Sequence, residues 1–464
     1  MRILTLSLVI AVALGLAVPA SAQVYGPRSE RPYRGLFAGD TGNASQLLTF
    51  TASGGAGYDD DIFAQGIGTA RPTNGAGGST TFIVGSAGLG YSVATHGMAL
   101  SASFGSGTGY YPGLNQPVLV HHSGGVSTAF QVARHSTVSV SQFESYQPVY
   151  FFAFLPTHVA AAEVVPTFDP GTMNIGDAVQ AASLTLRQPV VADATVASNV
   201  DYYLTSETGL VFTQGLTQHL TFTAGYGYRR SDSGTPGRDY TSQSVTASLA
   251  YSVTREVSVH AGYGYNSTQY EVATGGSTDY RGRTIDAGVA YNKALSFSRR
   301  TTLGFSTGTA AVDDGVQTHW AITGQVQLTR EIGRSWSAGL GYSRSVSYVE
   351  TFRAPVLSDA ATATLTGLLS RETQFEAVAS ISRGDVGYVA NNNYETYFAG
   401  AGVRRALSRN VGLSARYAIY RYSIASGVLI PVGLADRAFR QSIGVSIDFW
   451  KPLIQTNRSA NVTR

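Results

Sequence analysis

Residues 256–266 read EVSVHAGYGYN. Counting in twos from Val257 collects Val257, Val259, Ala261, Tyr263 and Tyr265. The residues between them, Ser258, His260, Gly262, Gly264 and Asn266, are small or polar. A period of two belongs to the β-strand, whose successive side chains leave on opposite faces. One face of this strand is built for an apolar medium, the other for water.

The pattern recurs in HLTFTAGYGYR (219–229), HWAITGQVQLT (319–329), SWSAGLGYS (335–343) and RQSIGVSIDF (440–449). Many runs hold it for about ten residues or more. Strands of soluble domains centre on about 5–6 residues, whereas a strand that crosses a bilayer needs about 9–11. The apolar faces end in tyrosines, as the interfacial girdles of a transmembrane barrel require. Composition agrees. The 464 residues include 53 glycines, 27 tyrosines and 3 methionines, and only 13% are charged, against about 25% in soluble domains. The formal net charge of +3 is too small to argue for nucleic acid.

Connections between runs alternate in kind. TREV, SRET and LSRN are short and charged; RSDSGTPGRD, NSTQYEVATGGSTD and RGDVGYVANNN are long and rich in Gly, Asp, Asn, Ser and Thr. That order predicts an all-β, transmembrane antiparallel β-barrel with short periplasmic turns and long external loops. The runs number about 18, or 16 if one pair is miscounted, because those near 80–91 and 199–213 have unclear parity. The barrel spans 46–450, in one domain. Before it, residues 1–22 read as a secretory signal peptide: Arg2, an apolar run from Ile3 to Val18, then Ala20-Ser21-Ala22. Residues 23–45 form a periplasmic arm and 451–464 a C-terminal tail. There is no cysteine, so no disulfide is expected in the oxidising compartment.

The stretch LLTFTASGGAGYDDDIFAQG (47–66), with Tyr58, Asp59, Asp60, Asp61, Ile62 and Phe63, resembles the first strand and loop of a family of outer-membrane β-barrel porins. ALSRNVGLSARYAIYRYS (406–423) resembles its later hairpins. The resemblance implies the outer membrane of a Gram-negative bacterium, a surround of outer-membrane lipid and lipopolysaccharide, and insertion by the barrel-assembly machinery. That machinery commonly reads a terminal aromatic; here Phe449 and Trp450 are followed by KPLIQTNRSANVTR. In some relatives it also implies an association with surface-polysaccharide genes.

Sites of chemistry are scarce. Asp59-Asp60-Asp61 lacks the spacing of an EF-hand and reads as a solvated loop tip. His121 and His122 are adjacent in a strand and point apart, with no cysteine to complete a zinc site. GSGTGYYPG, from Gly105, is followed by no lysine and no helix, so it is not a phosphate loop. Ser258, His260 and Asp286 can be drawn as a triad, but inward serines are everywhere in this chain. No cofactor is expected and the chain does not read as an enzyme.

Charges on the polar faces carry more. By parity Arg229, His260, Asp286, His319, Glu376, Arg404, Arg416, Arg440 and Asp448 face the lumen, with His219. Such residues either line a pore or pair across a filled lumen and close it. The favoured function is passive passage of small hydrophilic solutes. The alternatives are a non-catalytic outlet for polysaccharide, in which Tyr420 and Tyr422 stack on sugars, a barrel enzyme, and a closed structural barrel. The long connection after residue 149 contains an apolar stretch from Tyr150 to Leu155. Part of it, near Val164 to Leu186, is expected to fold into the mouth as a constriction, with Asp169 and Asp177 disfavouring anions.

Overall fold

The computed structural model describes residues 44–457 apart from 61–78, 96, 113–117, 148–201, 234–238, 255–256, 273–275, 296–297, 314–317, 334, 350–353, 389–391 and 429–435. The expected signal peptide, the arm up to residue 43, and the constriction with Asp169 and Asp177 lie outside the described residues.

Eighteen strands follow one another: β1 (Ala44–Asp59), β2 (Thr80–Ala94), β3 (Met98–Tyr110), β4 (Val118–Ala133), β5 (Ser136–Gln147), β6 (Tyr203–Gly215), β7 (Leu220–Ser233), β8 (Tyr240–Ser252), β9 (Val257–Val272), β10 (Gly276–Leu295), β11 (Ser298–Asp313), β12 (Thr318–Ile332), β13 (Trp336–Val349), β14 (Ala354–Leu368), β15 (Thr373–Val386), β16 (Asn393–Ala406), β17 (Val411–Ile424) and β18 (Arg437–Asn457). Each pairs antiparallel with its neighbours in sequence, and β1 pairs with β18, so the sheet closes. Closure leaves no open edge, which is what lets a sheet stand in a bilayer. The expected tail is corrected at its start. Residues 451–457 are strand, and Lys451 to Asn457 pair with Phe50 to Ala44. The barrel also begins at Ala44, slightly inside the expected arm.

The two rims differ in part as the sequence order implied. At one, the connections are two to four residues long, for instance 134–135 and 216–219. Four of these turns repeat one design: Leu216-Thr217, Val253-Thr254, Leu369-Ser370 and Leu407-Ser408. In each, the hydroxyl accepts a backbone N–H two or three residues on. Thr217 Oγ1 accepts from Leu220 N (3.0 Å) and Ser408 Oγ from Val411 N (3.1 Å). A Ser or Thr there closes the turn locally. The other rim carries the longer connections, such as 60–79, 148–202 and 425–436, but 273–275, 314–317 and 350–353 are as short as those of the first rim. The expected long connection NSTQYEVATGGSTD is corrected: β9 and β10 run through it, because Gly276 to Arg281 pair with Val272 to Ser267.

Exposure follows the period of two. On β9, Val259 and Tyr263 are exposed, while His260 and Gly262 between them are half-buried. Leu340, Ile443 and Ile447 are each more than half exposed on the outer face. Isolated apolar exposures are ordinary, but a continuous belt of them around a closed barrel is the surface a bilayer requires. On β7 the belt runs Leu220, Phe222, Ala224, Tyr226, Tyr228 and then gives way to Arg230 and Asp232. The two uncertain runs are resolved by register. On β2, Ile83 and Leu89 face out; on β6, Leu204 and Leu210 face out and Glu207 faces in.

Candidate functional site

The inner wall is the candidate site. Its mid-height residues are small: on β3 and β7 the inward series includes Gly105, Gly107, Gly225 and Gly227. A barrel of 16–18 strands with such an inner set leaves room for an aqueous channel. Set into this wall are charges, and four inward ion pairs are formed by described residues.

On β6–β7, Glu207 and Arg229 stand directly opposite, with Arg229 Nε 3.3 Å from Glu207 Oε1. Ten strands round the ring, Arg416 Nη2 lies 3.2 Å from Glu376 Oε1. Their strands, β17 and β15, are not neighbours; the residue between them in register is Gly402 of β16. A Cβ at Gly402 would lie 3.2 Å from both Arg416 Cγ and Glu376 Oε1, so the missing side chain is what lets this pair span two strands. Just toward the short-turn rim, Arg404 Nε is 3.7 Å from Asp448 Oδ2, again across β17. Ser414 fills the step: its hydroxyl donates to Asp448 Oδ2 (3.2 Å) and shares a 2.6 Å hydrogen bond with Ser446.

Two of these pairs are open to solvent, with side chains 37–49% exposed. Exposed pairs contribute about 0–1 kcal/mol. Their effect lies in charge, because they neutralise the wall while keeping polarity. They run along the wall between nearby strands. The expectation of pairs reaching across a filled lumen does not describe them.

The fourth pair is of another kind. Arg440 Nε donates to Asp59 Oδ1 (2.8 Å) and Oδ2 (2.7 Å), and Nη2 lies 2.5 Å from Oδ2. Asp59 is fully buried and Arg440 nearly so. Beside it, Asp60 Oδ1 accepts the backbone N–H of Gln441 (2.6 Å) and the Asp60 N–H donates to the Gln441 carbonyl (3.1 Å). The acidic run expected as a solvated loop tip is therefore corrected for these two residues: they fasten β1 to β18 at the long-connection end of the closing seam. Asp61 lies outside the described residues. Arg440 faces inward as parity required, but it is covered and lines no water.

The remaining candidates divide. His260 faces inward, across from Gly288 and Ala250. Asp286 stands opposite Gly262 in register, and its side chain lies outside the described residues. His219 is not in the lumen; it sits exposed in the 216–219 turn, its ring 6.3 Å from that of Tyr251. His121 points in, over Gly107, and His122 points out against Tyr146. His319 faces in and stacks on Tyr388, with centroids 4.7 Å apart and planes within 6°. Tyr388 belongs to the β15–β16 connection, and β13 and β14 intervene, so that connection folds inward to reach β12. Tyr388 has φ 56°, the single positive value among described non-glycine residues, and follows Gly387 (φ 68°). A bulky residue in that region is a local strain, of the sort found at functional sites.

At the long-connection end the inner wall of β14–β18 carries an apolar collar. Val356, Val386, Tyr394, Tyr420, Tyr422 and Ile424 pack together, all of them buried. Tyr111, just past β3, lies with its ring 5.5 Å from Phe82. Burial raises its phenol pKa above the usual range, against the lowering effect of the Arg440 charge.

Parity alone missed Glu207, Asp59 and Tyr388. Glu207 had a partial signal: it lies eight residues before Gly215 and Arg229 lies eight after Thr221, the pair that flanks the turn in register. Asp59 and Tyr388 had none, because their partners are remote in sequence.

No protein-family model matches the chain. A search of curated proteins also finds no match. Among solved structures the chain is similar to Pseudomonas aeruginosa OpdQ, at TM-score 0.44 and 11% identity, covering 88% of this chain and 98% of that one. It is similar to Pseudomonas aeruginosa OpdL at TM-score 0.43 and 11% identity, covering 88% and 99%. For Acinetobacter baumannii OccAB4 the TM-score is 0.42 at 11% identity, covering 89% and 100%. At that level of similarity no substrate or partner passes to this chain.

Proposed function

We propose that the protein is an outer-membrane channel for passive passage of small hydrophilic solutes. The observation that carries this is the inner wall: a closed ring of eighteen strands on which the inward ion pairs among the described residues run sideways, between residues of the same wall. A lumen meant to be closed by its own charges would pair them across its width. Because Arg229 and Arg416, the exposed arginines of the inner ion pairs, each have a carboxylate beside them, the channel should prefer neither anions nor cations strongly.

The test is single-channel recording of the purified chain in a planar bilayer. Discrete conductance steps with a small reversal potential in a salt gradient are expected. A folded barrel that passes no current would favour a closed structural barrel instead. The polysaccharide-outlet reading drew on Tyr420 and Tyr422 as sugar platforms. Both rings are buried in the collar, which removes the observation that favoured it. The constriction proposed for Val164 to Leu186 has its own test. Deleting residues 160–190 should raise conductance and weaken any bias against anions; an unchanged channel would show that the segment does not narrow the pore.

A further inference from the structure

Stability does not account for two of the inner ion pairs. An exposed pair adds next to nothing to it, and serine or threonine would keep the wall polar without charge. Yet the barrel builds two such pairs, by different routes. Glu207 and Arg229 stand opposite on neighbouring strands, whereas Glu376 and Arg416 meet over Gly402. They also stand at two heights. β7 and β17 both leave the short-turn rim; Arg416 is the sixth residue of β17 and Arg229 the tenth of β7. A solute crossing the lumen passes one pair and then the other.

The buried pair shows what Glu376 and Arg416 leave undone. Arg440 takes both oxygens of Asp59. Arg416 meets Glu376 through Nη2 and Oε1, at 3.2 Å. A guanidinium carries five N–H groups and a carboxylate two oxygens, so this contact leaves donors and an acceptor over. Both side chains are half-exposed to the lumen. The residues level with Arg416 on either side are Gly402 and Gly444, so nothing from the adjacent strands stands in front of it.

What a plus and a minus side by side will hold follows from charge. An anion is attracted by Arg416 and repelled by Glu376, and for a cation the signs reverse. A neutral solute gains from neither charge. A zwitterion gains from both, provided that its own charges lie as close together as those of the wall. Its carboxylate accepts charge-assisted hydrogen bonds from Arg416 and its ammonium donates to Glu376. An α-amino acid meets the condition, because one carbon carries both groups.

We propose that Glu376 and Arg416 form a binding station for small zwitterions of the α-amino acid type, and that Glu207 and Arg229 form a second on the same path. The stations deepen the channel reading and rest on it. Held loosely at two levels, a zwitterion enters more readily than a neutral solute of its size.

The experiment reconstitutes the full chain in liposomes and measures uptake of labelled glycine, of glycolamide, its uncharged isomer, and of glycolate. Glycine is expected to enter about two- to fivefold faster than glycolamide, the factor that one exposed charge pair supplies. The ratio of the two rates cancels any change in pore width. In Glu376→Gln/Arg416→Gln the ratio should fall, and with Glu207→Gln/Arg229→Gln added it should reach about one. Should the fourfold variant fail to fold, each double variant must still lower the ratio. An undiminished ratio in the folded Glu376→Gln/Arg416→Gln variant overturns the proposal. Glycolate entering faster than glycine also overturns it, since the arginines would then serve anions. A barrel that passes glycolamide, with glycine no faster, removes the stations and leaves the channel standing. A folded barrel that admits none of the three solutes overturns the channel reading itself.

Discussion

At the scale of single residues, burial decides which charges hold the fold and which tune the lumen. Asp59 and Arg440 are covered, so removing one strands the other in a poor solvent. Asp59→Asn or Arg440→Met should each cost about 3–5 kcal/mol, read as a lower midpoint in denaturant titrations in lipid vesicles. Loss of less than about 1 kcal/mol from both would mean that the pair does not fasten the seam. Glu376 and Arg416 are half-exposed, so their removal should leave stability within about 1 kcal/mol and act on selectivity. Glu376→Gln leaves Arg416 uncompensated and should move the reversal potential toward anion preference; Arg416→Gln should move it toward cations. Shifts of the same sign in both variants would place the pair off the ion path. The sequence made Arg416, Glu376 and Arg440 legible as inward by parity, but could not separate the exposed pair from the covered one. Exposure depends on what neighbouring strands and rims lay over a residue, and parity carries no information about that.

At the scale of the strand, the period of two was a sufficient guide wherever one face is continuously apolar. β7, β9, β13 and β18 were legible for this reason. β6 was not, because Ser206 and Thr208 sit on its outer face and blur the alternation. The assignment of faces has a direct check. Val259 and Leu340 are exposed on the outer belt, so arginine at either should cost about 2–4 kcal/mol near the midplane. Ser337→Arg, on the inner face of the same strand as Leu340, should cost less. Vesicle folding titrations that rank these in reverse would mean that the two faces have been exchanged. The turns were legible as turns, but their shared hydroxyl-capped design emerges only when the bonds to Leu220 and Val411 are seen.

For the whole molecule, closure is the property that matters. A sheet in which every strand has two partners cannot fray from an edge, and opens only by breaking a full ladder. Unheated and boiled samples are therefore expected to migrate differently in detergent electrophoresis, the unheated barrel as a compact species. Identical mobility, with a mature chain soluble in water, would contradict a closed membrane barrel. The sequence by itself determined that the chain makes long two-faced strands, that they number about eighteen, and that one rim carries only short connections. These follow from side-chain period and local turn chemistry, which are properties of neighbouring residues. Only the tertiary structure decided that β18 runs on to Asn457, and that Asp59 finds Arg440 across 381 residues of chain. It also decided that Glu376 reaches Arg416 over Gly402, that Tyr388 folds in to meet His319, and that Tyr420 and Tyr422 are covered. Each of these depends on register and closure. Those are set by the sum of all strand pairings, so no single stretch of the chain encodes them.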